Sequence, residues 1–125
     1  MKNHSLQQDI FEAILYFVQK EGKKVLFTTK TITILAQDKK EAYLKSLKTA
    51  SDILDKYNYK NKSLPQKEYL GISSLINKHA QGTSTTVNEW IGNEEELFET
   101  KHVLRINNLE IQKDLSNSLD LLAVD

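Results

Sequence analysis

Cysteine is absent from this chain of 125 residues, and proline, tryptophan and methionine occur once each. The first absence removes thiolate catalysis, cysteine-ligated zinc and a disulfide scaffold together, and it fits a reducing compartment, so a cytoplasmic location is expected. Glycine is scarce, and Gly22, Gly71, Gly82 and Gly92 stand too far apart to form a phosphate-cradling loop. His4, His79 and His102 show no close metal-ligand spacing, so neither a metal nor a cofactor is expected. A Ser-His-Asp arrangement assembled only in space is not readable from a sequence. No catalytic motif is present, and the weight falls on a role without catalysis. The apolar run over residues 13–18 is closed by Gln19 and Lys20, which is too short for a membrane span, and nothing ahead of it reads as a signal peptide.

Arginine is nearly absent as well: Arg105 is alone among 17 basic residues, balanced by 17 acids for a formal net charge of zero. The balance is uneven along the chain. Residues 1–70 carry 13 lysines against 8 acids, and residues 71–125 carry Lys78, Lys101, Lys113 and Arg105 against 9 acids. A basic half therefore precedes an acidic half, which points to charged partners and not to a particular fold. With 39% hydrophobic residues, the length suits one compact domain with a core of its own.

Helical spacing dominates what is present. Ser5-x-x-Gln8 has the form of a capping box, and Leu6, Ile10, Ile14, Phe17 and Val18 recur as one helical stripe that Phe11, Leu15 and Tyr16 widen. The reading is a first helix ending at Glu21-Gly22, wide enough in its apolar face to meet a second copy in a homodimer. Residues 24–36 are rich in Thr, Ile and Val with Phe27, which predicts strand, either single or folded as a hairpin at Thr29-Lys30. Asp38-x-x-Glu41 caps a second helix in which Tyr43, Leu47, Ala50, Leu54 and Tyr57 form the buried stripe. A third helix is expected from Ser63-Leu64-Pro65, burying Tyr69, Ile72, Ile76 and Ala80 and ending at Gly82. Thr86-x-x-Glu89 and Asn93-x-x-Glu96 predict two short helices or a broken one, residues 101–106 a brief strand, and Asn107-x-x-Glu110 a last helix through Ile111, Leu115, Leu119 and Leu122, with a hairpin at Asn107-Asn108 as the competing reading. The expected fold is α+β and predominantly helical, in the order α-β-β-α-α-α-β-α with a small sheet, or alternatively an all-α bundle.

Three constellations bear on function. Residues 72–91 outline a helix-turn-helix in which Thr85, Thr86 and Asn88 would meet base edges, but no Lys or Arg lies between Lys78 and Lys101 to neutralise phosphates. Two core helices joined at a glycine are the simpler account. Lys45, Lys48, Lys56, Tyr57, Tyr59, Lys60 and Lys62 combine cations with stacking surfaces suited to single-stranded nucleic acid, although a solvated lysine face is the simpler account. Glu89, Trp90, Glu94, Glu95, Glu96, Phe98 and Glu99 form an acidic, aromatic segment that would meet a partner with a basic surface. Glutamates after Asn93 also satisfy a helix N-terminus, which leaves Glu99 unexplained. The reading is a small intracellular protein that binds another protein as an inhibitor or regulator, in the manner of an immunity protein, antitoxin or phage-encoded inhibitor. The alternative is a DNA- or RNA-binding regulator of winged-helix type using residues 45–62.

Overall fold

The computed structural model describes residues 8–78 and 86–124, with side chains through Ser116. The elements are β1 (Asp9–Glu21), β2 (Lys24–Ala36), α1 (Lys39–Lys60), β3 (Lys67–Asn77), β4 (Val87–Gly92) and α2 (Glu94–Val124). This β-β-α-β-β-α order overturns the expected helix-dominated arrangement and the all-α bundle. Four antiparallel strands form one sheet in the order β3-β1-β2-β4.

β1 replaces the expected first helix. It lies at the centre of the sheet, paired with β2 on one edge and β3 on the other. A strand with neighbours on both edges and packing on both faces reads as a nearly continuous apolar run, and such a run matches helical spacing as readily as strand alternation. Its odd positions Phe11, Ala13, Leu15 and Phe17 are buried on one face, and Val18 is buried on the other. The segment therefore has no helical face to offer a second copy. Gly22, expected as a helix cap, is instead the first residue of the two-residue loop between Glu21 and Lys24, and its φ of 64° is one that such tight hairpin loops require and glycine adopts without strain. β2 runs unbroken, pairing Lys24 through Ala36 with Glu21 through Asp9, so the turn at Thr29-Lys30 does not form. β-branched side chains without a turn dipeptide favour that outcome.

The expected third helix is β3, and its misreading has a physical origin. Phe17, Leu15 and Ala13, two apart on β1, stand opposite Tyr69, Ile72 and Leu75, three apart on β3. Two bulges each insert one residue, so an inward-facing row acquires helix-like spacing. Ile76 is exposed as a result, while Ala80 and Gly82 lie outside the described residues. Thr86-x-x-Glu89 leads into β4, not a helix, and residues 101–106 with Asn107-Asn108 lie inside the continuous α2.

α1 starts as predicted. The Asp38 side chain accepts from the Glu41 amide at 2.8 Å, and Glu41 accepts from the Gln37 amide at 2.6 Å, satisfying two free donors at the helix start. Ala42, Tyr43, Ser46 and Ala50 are its buried residues, packed through the larger core cluster on Phe11, Leu15, Phe17, Ile34 and Ile72. Leu47, expected in that stripe, is 36% exposed. Burying an aromatic or leucine side chain of this core contributes about 1.5–3 kcal/mol. The second face of the sheet carries a smaller cluster, Val18, Val25 and Phe27 under Leu97 at the start of α2, with Leu70 and Trp90 at its margin. From there α2 passes β3 at Gly71, where a Cβ would stand 3.4 Å from that of Leu104, and it reaches α1 through Asn108 and Gln112 at the Tyr43 hydroxyl. Among the described residues, no helix is long and apolar enough to cross a membrane.

Candidate functional site

Sheet alternation divides the acidic segment. Trp90 lies on the second face with its indole stacked on Phe27 at 5.3 Å and edge-on to Tyr16 at 6.3 Å, and Glu89, its neighbour, points to the other face. There Glu89 favours the charged form of Lys67, but burial is the larger effect and holds the Lys67 ammonium below its ordinary pKa. Lys67 in turn sits 4.2 Å above the Tyr57 ring.

The helix geometry divides the rest. Asn93 Oδ1 accepts from the Glu96 amide at 2.8 Å, so Asn93 caps the helix, which is the first half of the predicted capping box. The Glu96 carboxylate accepts from Trp90 Nε1 at 3.2 Å, tying the helix start to β4. Glu94 faces Lys20 at 3.5 Å in an exposed pair, which is worth little. Glu95 is exposed, and Phe98, 75% exposed, lies beside Lys101, His102 and Arg105 and away from Trp90. Of the seven residues in the expected acidic site, the structure brings three together: Trp90, Glu96 and Glu99.

These three line a groove of about 280 Å³ between α2 and the second sheet face, with Tyr16, Val103 and Asn107 completing its apolar and polar walls. The groove has two carboxylates and no Lys or Arg. Val103 is 53% exposed at its wall and Ile106, one turn on, is 44% exposed. Tyr16, Val103 and Asn107 were not legible as site residues. Tyr16 sits within the β1 apolar run, and Val103 was expected in a strand.

The lysine and tyrosine constellation does not form one basic surface. Lys45 donates to the Leu35 carbonyl at 2.7 Å and Lys48 faces Asp52 at 3.8 Å. Tyr57 is half-buried and accepts from Gln19 Nε2, whereas Tyr59 is exposed beneath Lys62 at 4.9 Å. Lys56 and Lys60 are exposed, but Asp52 and Asp55 interrupt the outer face of α1. No helix-turn-helix spans 72–91, because Ile72 lies in β3 and Val87, Trp90 and Ile91 lie in β4. Thr86 and Asn88 are exposed at the edge of the sheet, and Thr85 lies outside the described residues. His102 is exposed on α2, and His4 and His79 are also outside the described residues. Among the described residues no group of three or more histidines and carboxylates could hold a metal ion. Comparison with protein-family models, with curated proteins and with solved structures finds no match to this chain.

Proposed function

We propose that this chain is a protein-binding module, an inhibitor or regulator, whose groove between α2 and the second sheet face receives an apolar and basic segment of another protein. The observation that carries this reading is the coincidence, in one groove, of Tyr16 and Trp90, the exposed Val103, and Glu96 and Glu99 without a cation among the lining residues. Exposed apolar surface rimmed by polar groups of one sign is the pattern of a recognition site, with aromatic and aliphatic contacts contributing affinity and charge guiding approach. The lack of cysteine favours the cytoplasm for this role.

A photo-crosslinking residue at Val103, compared with one at the exposed Tyr59, identifies the protein that contacts the groove. Association kinetics with that purified partner then test the reading. Glu99→Lys is expected to slow association, with the difference from wild type shrinking as salt rises, and Val103→Asp is expected to weaken the complex by at least tenfold. Unchanged kinetics in both variants would refute the assignment, as would crosslinks that form equally from Tyr59.

A further inference from the structure

The adjoining flank of α2 lines a cavity of different chemistry, which shares only Leu104 with the groove just described. It has a volume of about 270 Å³ and lies where α2 meets α1 beside β3. Lys101, Arg105 and Asn108 project into it from successive turns of α2. Neither Lys101 nor Arg105 forms an ion pair among the described residues, and no carboxylate lines the cavity.

The hydrogen-bond network fixes what the cavity offers. Gln112 Nε2 donates to the Tyr43 hydroxyl at 3.3 Å, and that hydroxyl donates to Asn108 Oδ1 at 2.7 Å. The Asn108 carbonyl is thereby occupied and its NH2 is the end left over, so the groups remaining at the wall are donors: an ammonium, a guanidinium and an amide. Donors without an acceptor suit an oxyanion, and the guanidinium can hold two of its oxygens at once. The rest of the lining comprises the aliphatic side chains of Leu104, Leu70 and the partly exposed Leu47, with Tyr43 and Tyr69. Leu47 thus interrupts the core stripe of α1 and lines this cavity instead.

We infer that the cavity between α1 and α2 binds a small organic anion, its carboxylate or phosphate held by Lys101, Arg105 and Asn108 and its compact apolar body against Leu47 and Leu104.

The test uses the whole chain, labelled for nuclear magnetic resonance, and three ligands sharing one ring: benzoate, phenyl phosphate and the neutral benzamide. A ligand of this size is expected to bind with a dissociation constant of about 1 mM. Saturable shifts should be confined to residues 43, 47, 69–71 and 101–108 for the anions, with benzamide about tenfold weaker. The stronger of the two anions tells carboxylate from phosphate. Arg105→Gln should weaken anion binding about tenfold while leaving the benzamide shifts and the melting temperature unchanged. Because Arg105 is exposed, this variant keeps the fold. Leu47→Asn should weaken anions and benzamide alike. Equal affinity for benzoate and benzamide, anion shifts scattered over the lysines of α1, no saturable anion shift at about ten times the expected dissociation constant, or an Arg105→Gln variant that binds anions like wild type would each overturn the inference.

Discussion

Ser46 and Leu47 are neighbours on α1 with fates opposite to their hydropathies: the serine is 0% exposed and the leucine 36%. Ser46 is tolerated because its hydroxyl donates to the Ala42 carbonyl at 2.8 Å, which satisfies its only donor within the helix. Its small volume also lets α1 lie close on the sheet. Spacing alone placed Leu47 inside because it completes a regular row, and nothing in a sequence shows where a neighbouring helix stops covering that row. Leu47→Ala is therefore expected to cost less than about 1 kcal/mol, whereas Phe17→Ala, at 1% exposure in the main cluster, should cost about 3–5 kcal/mol. Chemical denaturation of the two variants measures both. Tyr69 gives a pH-dependent counterpart. Burial, reinforced by Tyr43, pushes its hydroxyl up to about 12 from an ordinary value of 10.0, and the hydroxyl has no hydrogen-bond partner. The folded state then holds the proton more tightly than the unfolded chain, so the stability associated with that proton is complete below about pH 10 and declines as pH rises towards 12. Lys67 acts in the opposite direction: folded, it gives up its proton below 10.5, where the unfolded lysine still holds one, so folding becomes relatively more favourable as pH rises towards 10.5 and gains nothing further above it. Tyr69→Phe should raise stability at neutral pH by up to about 1 kcal/mol by removing an unpaired buried hydroxyl. It should also abolish the tyrosinate absorbance step near pH 12 and flatten the alkaline decline in melting temperature. A variant melting below wild type at neutral pH would show that the hydroxyl is paired after all.

Of the capping patterns in the sequence, Asp38-x-x-Glu41 and Asn93-x-x-Glu96 begin helices, Thr86-x-x-Glu89 leads into β4, and Asn107-x-x-Glu110 lies within α2. A side chain able to cap does so only where the backbone ahead of it is not already committed to a ladder or a helix. Gln8, from the first such pattern, directly precedes β1, and Ser5 lies outside the described residues. α1, β2 and the start of α2 were thus legible, because cap, periodicity and β-branched content agree in them. β1 and β3 were not, one because burial on both faces erases alternation and the other because bulges rewrite it. Gly22 in the β1–β2 loop and Gly92 at the end of β4 offer tests. Gly22→Val forces a β-branched residue to a φ of 64° and is expected to cost about 1–2 kcal/mol, although open space surrounds the new Cβ. Gly92→Ala places a Cβ against the Phe27 ring and the Glu96 carboxylate, and should cost about 1–3 kcal/mol by overpacking. Thermal melts separate the two causes if Gly22→Asn, which tolerates left-handed backbone, recovers most of the loss while no side chain at Gly92 does.

The sheet is covered unequally. α1 lies over the larger cluster on the first face, and α2 covers only part of the second before turning past β3 towards α1, which leaves the groove beside Trp90 open. The two charge halves read from the sequence meet where β1, central in the sheet, is flanked by later segments: Lys20 of β1 faces Glu94, and Glu12 of β1 faces Lys78. Within α1 the lysines are separated by Asp52 and Asp55, and no measurable binding to generic single-stranded or duplex nucleic acid is expected near physiological salt. Submicromolar binding in a filter or anisotropy titration would contradict this and reopen the outer face of α1 as a site. The position of β1 also carries a consequence for biosynthesis. β1 leaves the ribosome ahead of the strands it pairs with, and although the β2 hairpin can form soon after, its other ladder is completed only when β3 through Asn77 has been made. At synthesis rates of about 5–20 residues per second, that exposes an unpaired apolar edge for a time on the order of seconds. During that interval the nascent chain is most open to chaperone capture or to pairing with another nascent copy, and once β3 and then α2 arrive the vulnerable edge is closed.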